Sequence, residues 1–237
     1  AGADCTFGTG KKKYCPVAVF PASAPQLYHG RGDGGFIETT GTAGLAGLRG
    51  KALGVVVEDY DRDGDPDIFV ANDSVPNFLL RNGGDGTFEE RGMESGFATG
   101  ADGAAFAGMG IDSAWGPGGG LVLAVGNFSG EPATYYVQES TEYFIESSAA
   151  AGIAAATLDR VTFGLLLEDL DLDGWLDLLL VNGHVFDVED ILRVYFAEGD
   201  RRKRPRHDSQ IVDDVGANLV ADVEVHRTGH FPPAAPQ

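Results

Sequence analysis

The chain of 237 residues carries 36 acidic against 17 basic side chains, a net charge of −19, and is 43% apolar. That is enough apolar material for one large domain or two small ones with a real core, and the acidic balance disfavours nucleic acid and anionic membranes as partners, since both are negative. No run approaches the roughly 18 consecutive apolar residues of a membrane span, and no charged-then-apolar leader opens the sequence.

The first segment, residues 1–24, contains the only two cysteines, Cys5 and Cys15, ten positions apart in CTFGTGKKKYC and without CxxC metal spacing. A local disulfide, implying an oxidising compartment, and two unpaired thiols both fit this spacing. Over the whole chain, 35 glycines and 11 prolines with no long amphipathic helical pattern predict short strands joined by tight turns.

Self-similarity then organises the chain. DYDRDGDPDIFVAN ends at Asn72, AWGPGGGLVLAVGN at Asn127 and DLDLDGWLDLLLVN at Asn182, so the spacings (127 minus 72, 182 minus 127) are both 55. PNFLLRNGGDGTFEERGMESGF, beginning at Pro76, is echoed upstream from Pro25 and downstream from Pro132. Each unit predicts an apolar strand such as GVVVED, a loop, a second apolar strand, a third strand such as FLLRN, a GDG turn and a fourth strand such as TFEER. Four short strands per unit predict an all-β fold, a β-propeller of four-stranded antiparallel blades, with a solenoid or sandwich as the alternative. Units fall near 25–45, 52–97, 105–153 and 160–200, followed by a basic loop and uncertain strands in 201–237. About four blades' worth is present, part of a ring or one copy of an assembly that completes it.

Two of the loops are acidic. Ca²⁺ takes six to eight oxygen ligands, which a tight loop supplies from alternate side chains and a carbonyl, with glycine at the bend. In the first loop Asp59, Asp61, Asp63 and Asp67 are candidate side-chain ligands, Asp65 a carbonyl ligand and Gly64 the bend. In the second the same roles fall to Asp169, Asp171, Asp173, Asp177, Trp175 and Gly174. An EF-hand requires a glutamate at position 12, where these loops have Val70 and Leu180 inside strand-like runs. The middle copy places Ala114, Gly116, Gly118 and Val122 at the ligand positions and predicts no ion, so two Ca²⁺ sites are expected, as braces rather than catalysts.

The pattern D-x-D-x-D-G-x-x-D before a strand, with GDGxF turns and SGF or AGI endings, resembles the FG-GAP or VCBS repeats of β-propellers. The finer matches YCP, LYHGRGDGGF, GMGID, NFSGEP and VNGHV are similar to the cartilage acidic protein group, whose larger members carry an ASPIC/UnbV domain. This resemblance, from about Cys5 to Asp200, implies a secreted, periplasmic or cell-surface propeller with Ca²⁺ in blade loops and a binding or adhesion role. Two departures stand out: the middle loop lacks the ligands, and the turn after Asp200 becomes GDRRKRPRH.

Other motifs have structural readings. Arg31-Gly32-Asp33 shares the register of the turn at Gly84–Gly86 and reads as a turn. The run Arg201, Arg202, Lys203, Arg204, Arg206 reads as a solvated loop. Asn72 and Asn127 head N-x-S triplets but close equivalent strands, which suits turn formers. His184 reads as a turn residue, and His226 with His230 has helical metal spacing without a helix. The expected function is a non-enzymatic, extracytoplasmic binding, adhesion or assembly module for a protein or glycan partner, or for further subunits completing the ring. A propeller-type lyase or dehydratase is the alternative, without a supporting catalytic constellation.

Overall fold

The computed structural model describes residues 17–183, Cys15, and the backbone of residues 6–7, 11–12 and 222–227. The described residues form an all-β row of antiparallel sheets, with one short α-helix, α1 (Ile153–Thr157), and a 3-10 turn at Val17–Val19. After a short pair, β1 (Thr6–Phe7) and β2 (Lys11–Lys12), the hairpin β3 (Tyr28–Gly30) and β4 (Phe36–Glu38) stands as a two-stranded sheet. The first full blade is β5 (Ala52–Glu58), β6 (Asp67–Asn72), β7 (Phe78–Asn82) and β8 (Phe88–Glu90). The second is β9 (Ile111–Trp115), β10 (Leu121–Val125), β11 (Thr134–Ser140) and β12 (Tyr143–Glu146). In both, neighbours in sequence are neighbours in the sheet, the up-and-down order of a propeller blade.

The third sheet departs from the repeat. β13 (Thr162–Glu168) and β14 (Asp177–Asn182) occupy the expected places, but β15 (Asp222–Arg227) pairs with β14 as the third strand. The C-terminal segment, expected from sequence to hold strands of uncertain place, thus supplies the position that β7 and β11 hold in the full blades. The pairing runs from Asp177–Arg227 to Asn182–Asp222 without a shift.

The continuous apolar runs follow from burial of both faces by different neighbours. Strand side chains alternate between faces. On β6, Phe69 and Ala71 pack with Leu121, Leu123, Val125, Tyr136 and Phe144 of the second blade. The intervening Val70, with half-buried Ile68, packs toward the hairpin side against Ala43, Leu45 and Leu27. On β10 the same division sends Val122 and Ala124 against Leu167, Leu178 and Leu180 of the third sheet. Phe69 is the hub of the first interface, its ring meeting Tyr60, Phe97 and Phe144 edge-on at 5.8, 5.2 and 5.7 Å.

The first strands of successive blades lie side by side, and close approach is permitted by glycine: a Cβ on Gly54 would fall against the Met109 carbonyl, and one on Gly110 against that of Phe163. Polar bonds span the same seams. Ser113 Oγ donates to Glu58 at 2.7 Å, and the Leu167 amide donates to Asp112 at 2.8 Å. At the start of the row the segments flanking the hairpin pack on β6, β7 and β8 of the first full blade but not on β5. Leu53, Val55 and Val57 on β5, which share the face of Val70, therefore stay 61%, 61% and 56% exposed. Among the described residues each sheet packs on the next one in sequence.

Each second strand ends in a buried asparagine. Asn72 Nδ2 donates to the Pro76 carbonyl at 2.8 Å while its Oδ1 accepts from the Lys51 amide, and Asn127 Nδ2 donates to the Pro132 carbonyl at 2.6 Å. Asn72 and Asn127 are strand caps and are too deeply buried to accept a glycan in the folded chain. Substituting Phe69→Ala removes the ring that locks the first two blades and is expected to cost about 3–5 kcal/mol. Urea unfolding reads this as a lowered midpoint with an unchanged slope; an unmoved midpoint would show that this interface is not part of the cooperative core.

Candidate metal centres

The two acidic loops join the first and second strands of their blades, β5 to β6 and β13 to β14, and share one backbone conformation. Gly64 and Gly174 take φ of 95° and 91°, and Arg62 and Leu172, two residues earlier, also turn left-handed at 60° and 61°. The Gly64 amide donates to Asp59 Oδ2 at 3.1 Å, and the Gly174 amide to Asp169 Oδ2 at 2.8 Å. The Asp65 amide donates to Asp63 at 3.0 Å, and that of Trp175 to Asp173 at 2.9 Å. The last aspartate closes each loop: Asp67 Oδ2 accepts from the Tyr60 amide at 3.2 Å, Asp177 Oδ2 from the Leu170 amide at 3.1 Å.

These turns gather three carboxylates each. Asp59, Asp61 and Asp67, and likewise Asp169, Asp171 and Asp177, offer one oxygen apiece within 4.8 Å of one another. Asp67 is fully buried and Asp177 nearly so. Burial, with the charges of Asp61 and Asp63 adding to it, pushes the Asp67 carboxyl up to about 6, against amide bonds from Asn82 and Tyr60 that pull it down. Asp59 Oδ1 is buried with no hydrogen-bond partner. A carboxylate oxygen in that state costs free energy unless a cation meets it, so the first loop fits a hard divalent ion on the chemistry of its own donors.

Of the ligands expected from sequence, the structure brings together Asp59, Asp61, Asp67 and Asp169, Asp171, Asp177. Asp63 and Asp173 stand outside the two clusters and brace the turns through the Asp65 and Trp175 amides. The Asp65 side chain lies against Gly84, leaving only its carbonyl for the role assigned to it. One residue not expected from sequence takes part. Arg81 on β7 donates from Nε to Asp61 at 2.6 Å and from a terminal nitrogen to Asp63 at 3.0 Å, and that Asp61 side chain is only 5% exposed. Its signal was present in FLLRN, but only strand pairing brings it to the loop.

The middle loop has none of this. Position 117, equivalent to Arg62 and Leu172, is proline, whose ring forbids a positive φ. The loop closes instead as a short turn, the Gly116 amide donating to the Gly120 carbonyl at 2.9 Å, with Gly119 at φ 79°. Arg62 crosses from the first acidic loop to this turn, donating to the Gly119 carbonyl and lying 4.6 Å over the Trp115 ring.

Residues 31–35 repeat the turn of residues 83–87: Arg31 bonds Gly35 and Gly83 bonds Thr87, both at 2.9 Å. Asp33 accepts from the Gly35 amide at 2.8 Å and pairs with Arg31 at 3.0 Å, so Arg31-Gly32-Asp33 is a self-satisfied turn. His226 lies on a strand, where helical spacing places no common face. His230, His184, the basic run 201–206 and Cys5, hence the expected Cys5–Cys15 pairing, lie outside the described residues. A groove between the hairpin and the first acidic loop is lined by Tyr28, His29, Asp65, Asn82, Asp85 and Phe88.

A family model described as FG-GAP-like repeat matches residues 17–70 and again 59–112. This stretch of the chain carries FG-GAP-like repeats. The two matches overlap on the first acidic loop, and the second acidic loop lies beyond them. Such repeats typically build β-propeller modules that bind, in agreement with the blades described above. No curated protein matches the chain, and no helix among the described residues is long and apolar enough to cross a membrane.

A Cβ added at Gly64 or Gly174 meets nothing within 4 Å, so any cost there is conformational. Gly64→Ala and Gly174→Ala are each expected to destabilise the chain by about 1–2 kcal/mol. Denaturant titration checks this; wild-type stability in both would mean that the left-handed bend is not needed.

Proposed function

We propose that the protein is an extracytoplasmic β-propeller module whose two acidic loops each hold a calcium ion, and which binds a protein or glycan partner or serves as a subunit of a larger ring. The observation that carries the reading is the pair of equivalent carboxylate trios, made by two loops 110 positions apart (169 minus 59) that share the glycine-to-first-aspartate hydrogen bond. Asp59, Asp61 and Asp67 would hold the first ion and Asp169, Asp171 and Asp177 the second. Asp63, Asp173 and the carbonyls of Asp65 and Trp175 would complete the oxygen set. Calcium suits many carboxylates in an irregular loop better than magnesium, which retains several waters.

In this reading the ion braces the hairpin between the first two strands of its blade, and the blade edges and loop surfaces are left for a partner. The groove beside the first loop, with Tyr28 for stacking and Asp65, Asn82 and Asp85 for hydrogen bonding, suits a polar ligand such as a glycan. The resemblance to the cartilage acidic protein group and the pairing expected of Cys5 and Cys15 support a secreted or surface setting.

Calorimetric titration of the chelated protein with Ca²⁺ is expected to give two binding events, Asp59→Asn removing one and Asp169→Asn the other. Chelation is expected to lower the melting temperature, because ligand bound to the folded state adds RT ln(1 + [L]/Kd) of stability. A melting temperature indifferent to EDTA, with no heat of binding, would refute the calcium reading.

A further inference from the structure

The arginine at the first loop has a counterpart that sequence spacing conceals. On β6 and β7, Ile68 pairs with Leu80, so one step further along the ladder Arg81 stands opposite Asp67. On β14 and β15 the register places Arg227 opposite Asp177. The two aspartates are 110 positions apart (177 minus 67), as the repeat requires, whereas the arginines are 146 apart (227 minus 81). The second arginine arrives on a strand from the C-terminal segment, at the register position of the first. The blade between them is the control: Val122, the equivalent of Asp67, pairs with Val137. The loop without carboxylates has no arginine across its ladder.

We infer that each acidic loop is served by an arginine at one register position of its blade's third strand, Arg81 for the first loop and Arg227 for the second, which partly compensates the loop's charge without metal and sets its calcium affinity. The physical basis is charge. Asp59, Asp61, Asp63 and Asp67 crowd four carboxyl groups into one turn, and Arg81 meets two of them, Asp61 Oδ2 and Asp63 Oδ2, in forked geometry. A divalent ion entering that turn meets carboxylates already partly compensated, and must share Asp61 with the guanidinium. The arginine therefore stabilises the metal-free loop and weakens the ion's hold. A purely structural residue would, when removed, damage both.

The inference rests on the calcium reading, and calcium chloride titration of the full chain separates the two. Arg81→Gln is expected to tighten one of the two binding events roughly tenfold, the scale on which one nearby charge alters an ionic equilibrium. The same variant is expected to lower the melting temperature in EDTA. Arg81→Lys, which keeps the charge and loses the fork, moves both readouts the same way by less and serves if the glutamine variant fails to fold. Arg227→Gln is expected to tighten the other event. Unchanged or weaker binding in Arg81→Gln, or an Arg227→Gln variant that leaves the second event untouched, overturns the inference. If the wild-type chain takes up no calcium, the calcium reading has failed by itself, and the arginines are then judged on the EDTA melts: Arg81→Lys must keep stability that Arg81→Gln loses, and the absence of that order refutes them.

Discussion

Blade faces in this protein are buried only by the neighbouring blade, and that mutual cover is the constraint from which the remaining structure follows. A four-stranded sheet of this size cannot hide its apolar face by itself. Phe69 faces one way into the second blade, Val70 the other way toward the hairpin, and Leu123 and Val122 repeat the division one blade later. Because the second strand of each full blade is enclosed on both sides, its middle must be apolar, and polar chemistry is left to its ends. At one end the chain puts a buried asparagine, at the other a loop.

The loops inherit their geometry from that enclosure. Asp67 and Asp177 belong to the buried strands, so their carboxylates are drawn out of water, whereas Asp59 and Asp169 lie at the ends of the more open first strands. The left-handed turn through Arg62 or Leu172 and the glycine that follows fold the remaining aspartates back onto them. What results is a set of negative charges held together by backbone amides and, in the first loop, by Arg81. The middle loop shows that a blade folds without such a cluster when proline and glycine close the turn.

Much of this was legible in the residues. The 55-residue spacing of Asn72, Asn127 and Asn182 located the second strands, and the aspartate alternation marked both acidic loops and excluded the middle one. Propensity and period are local, so the sequence displays them directly. The positions of Asp63 and Asp173 were less legible. Alternation makes them equal to Asp59 and Asp61, but in the folded loop they turn to the amides of Asp65 and Trp175. Arg81 stands in the predicted strand FLLRN, but its part in the site was not legible, because a residue 14 positions beyond Asp67 (81 minus 67) joins the site only through strand register.

The sequence by itself determined the repeat, the strand pairs within each blade and the placing of acidic turns between them, since each depends on neighbours close along the chain. Tertiary structure decided which faces meet, which strand completes the third sheet and which cation-bearing side chain reaches the first loop. Those choices depend on pairing between distant segments, as with β14 and β15, where a register of backbone hydrogen bonds, not any local preference, carries Arg227 to the level of Asp177.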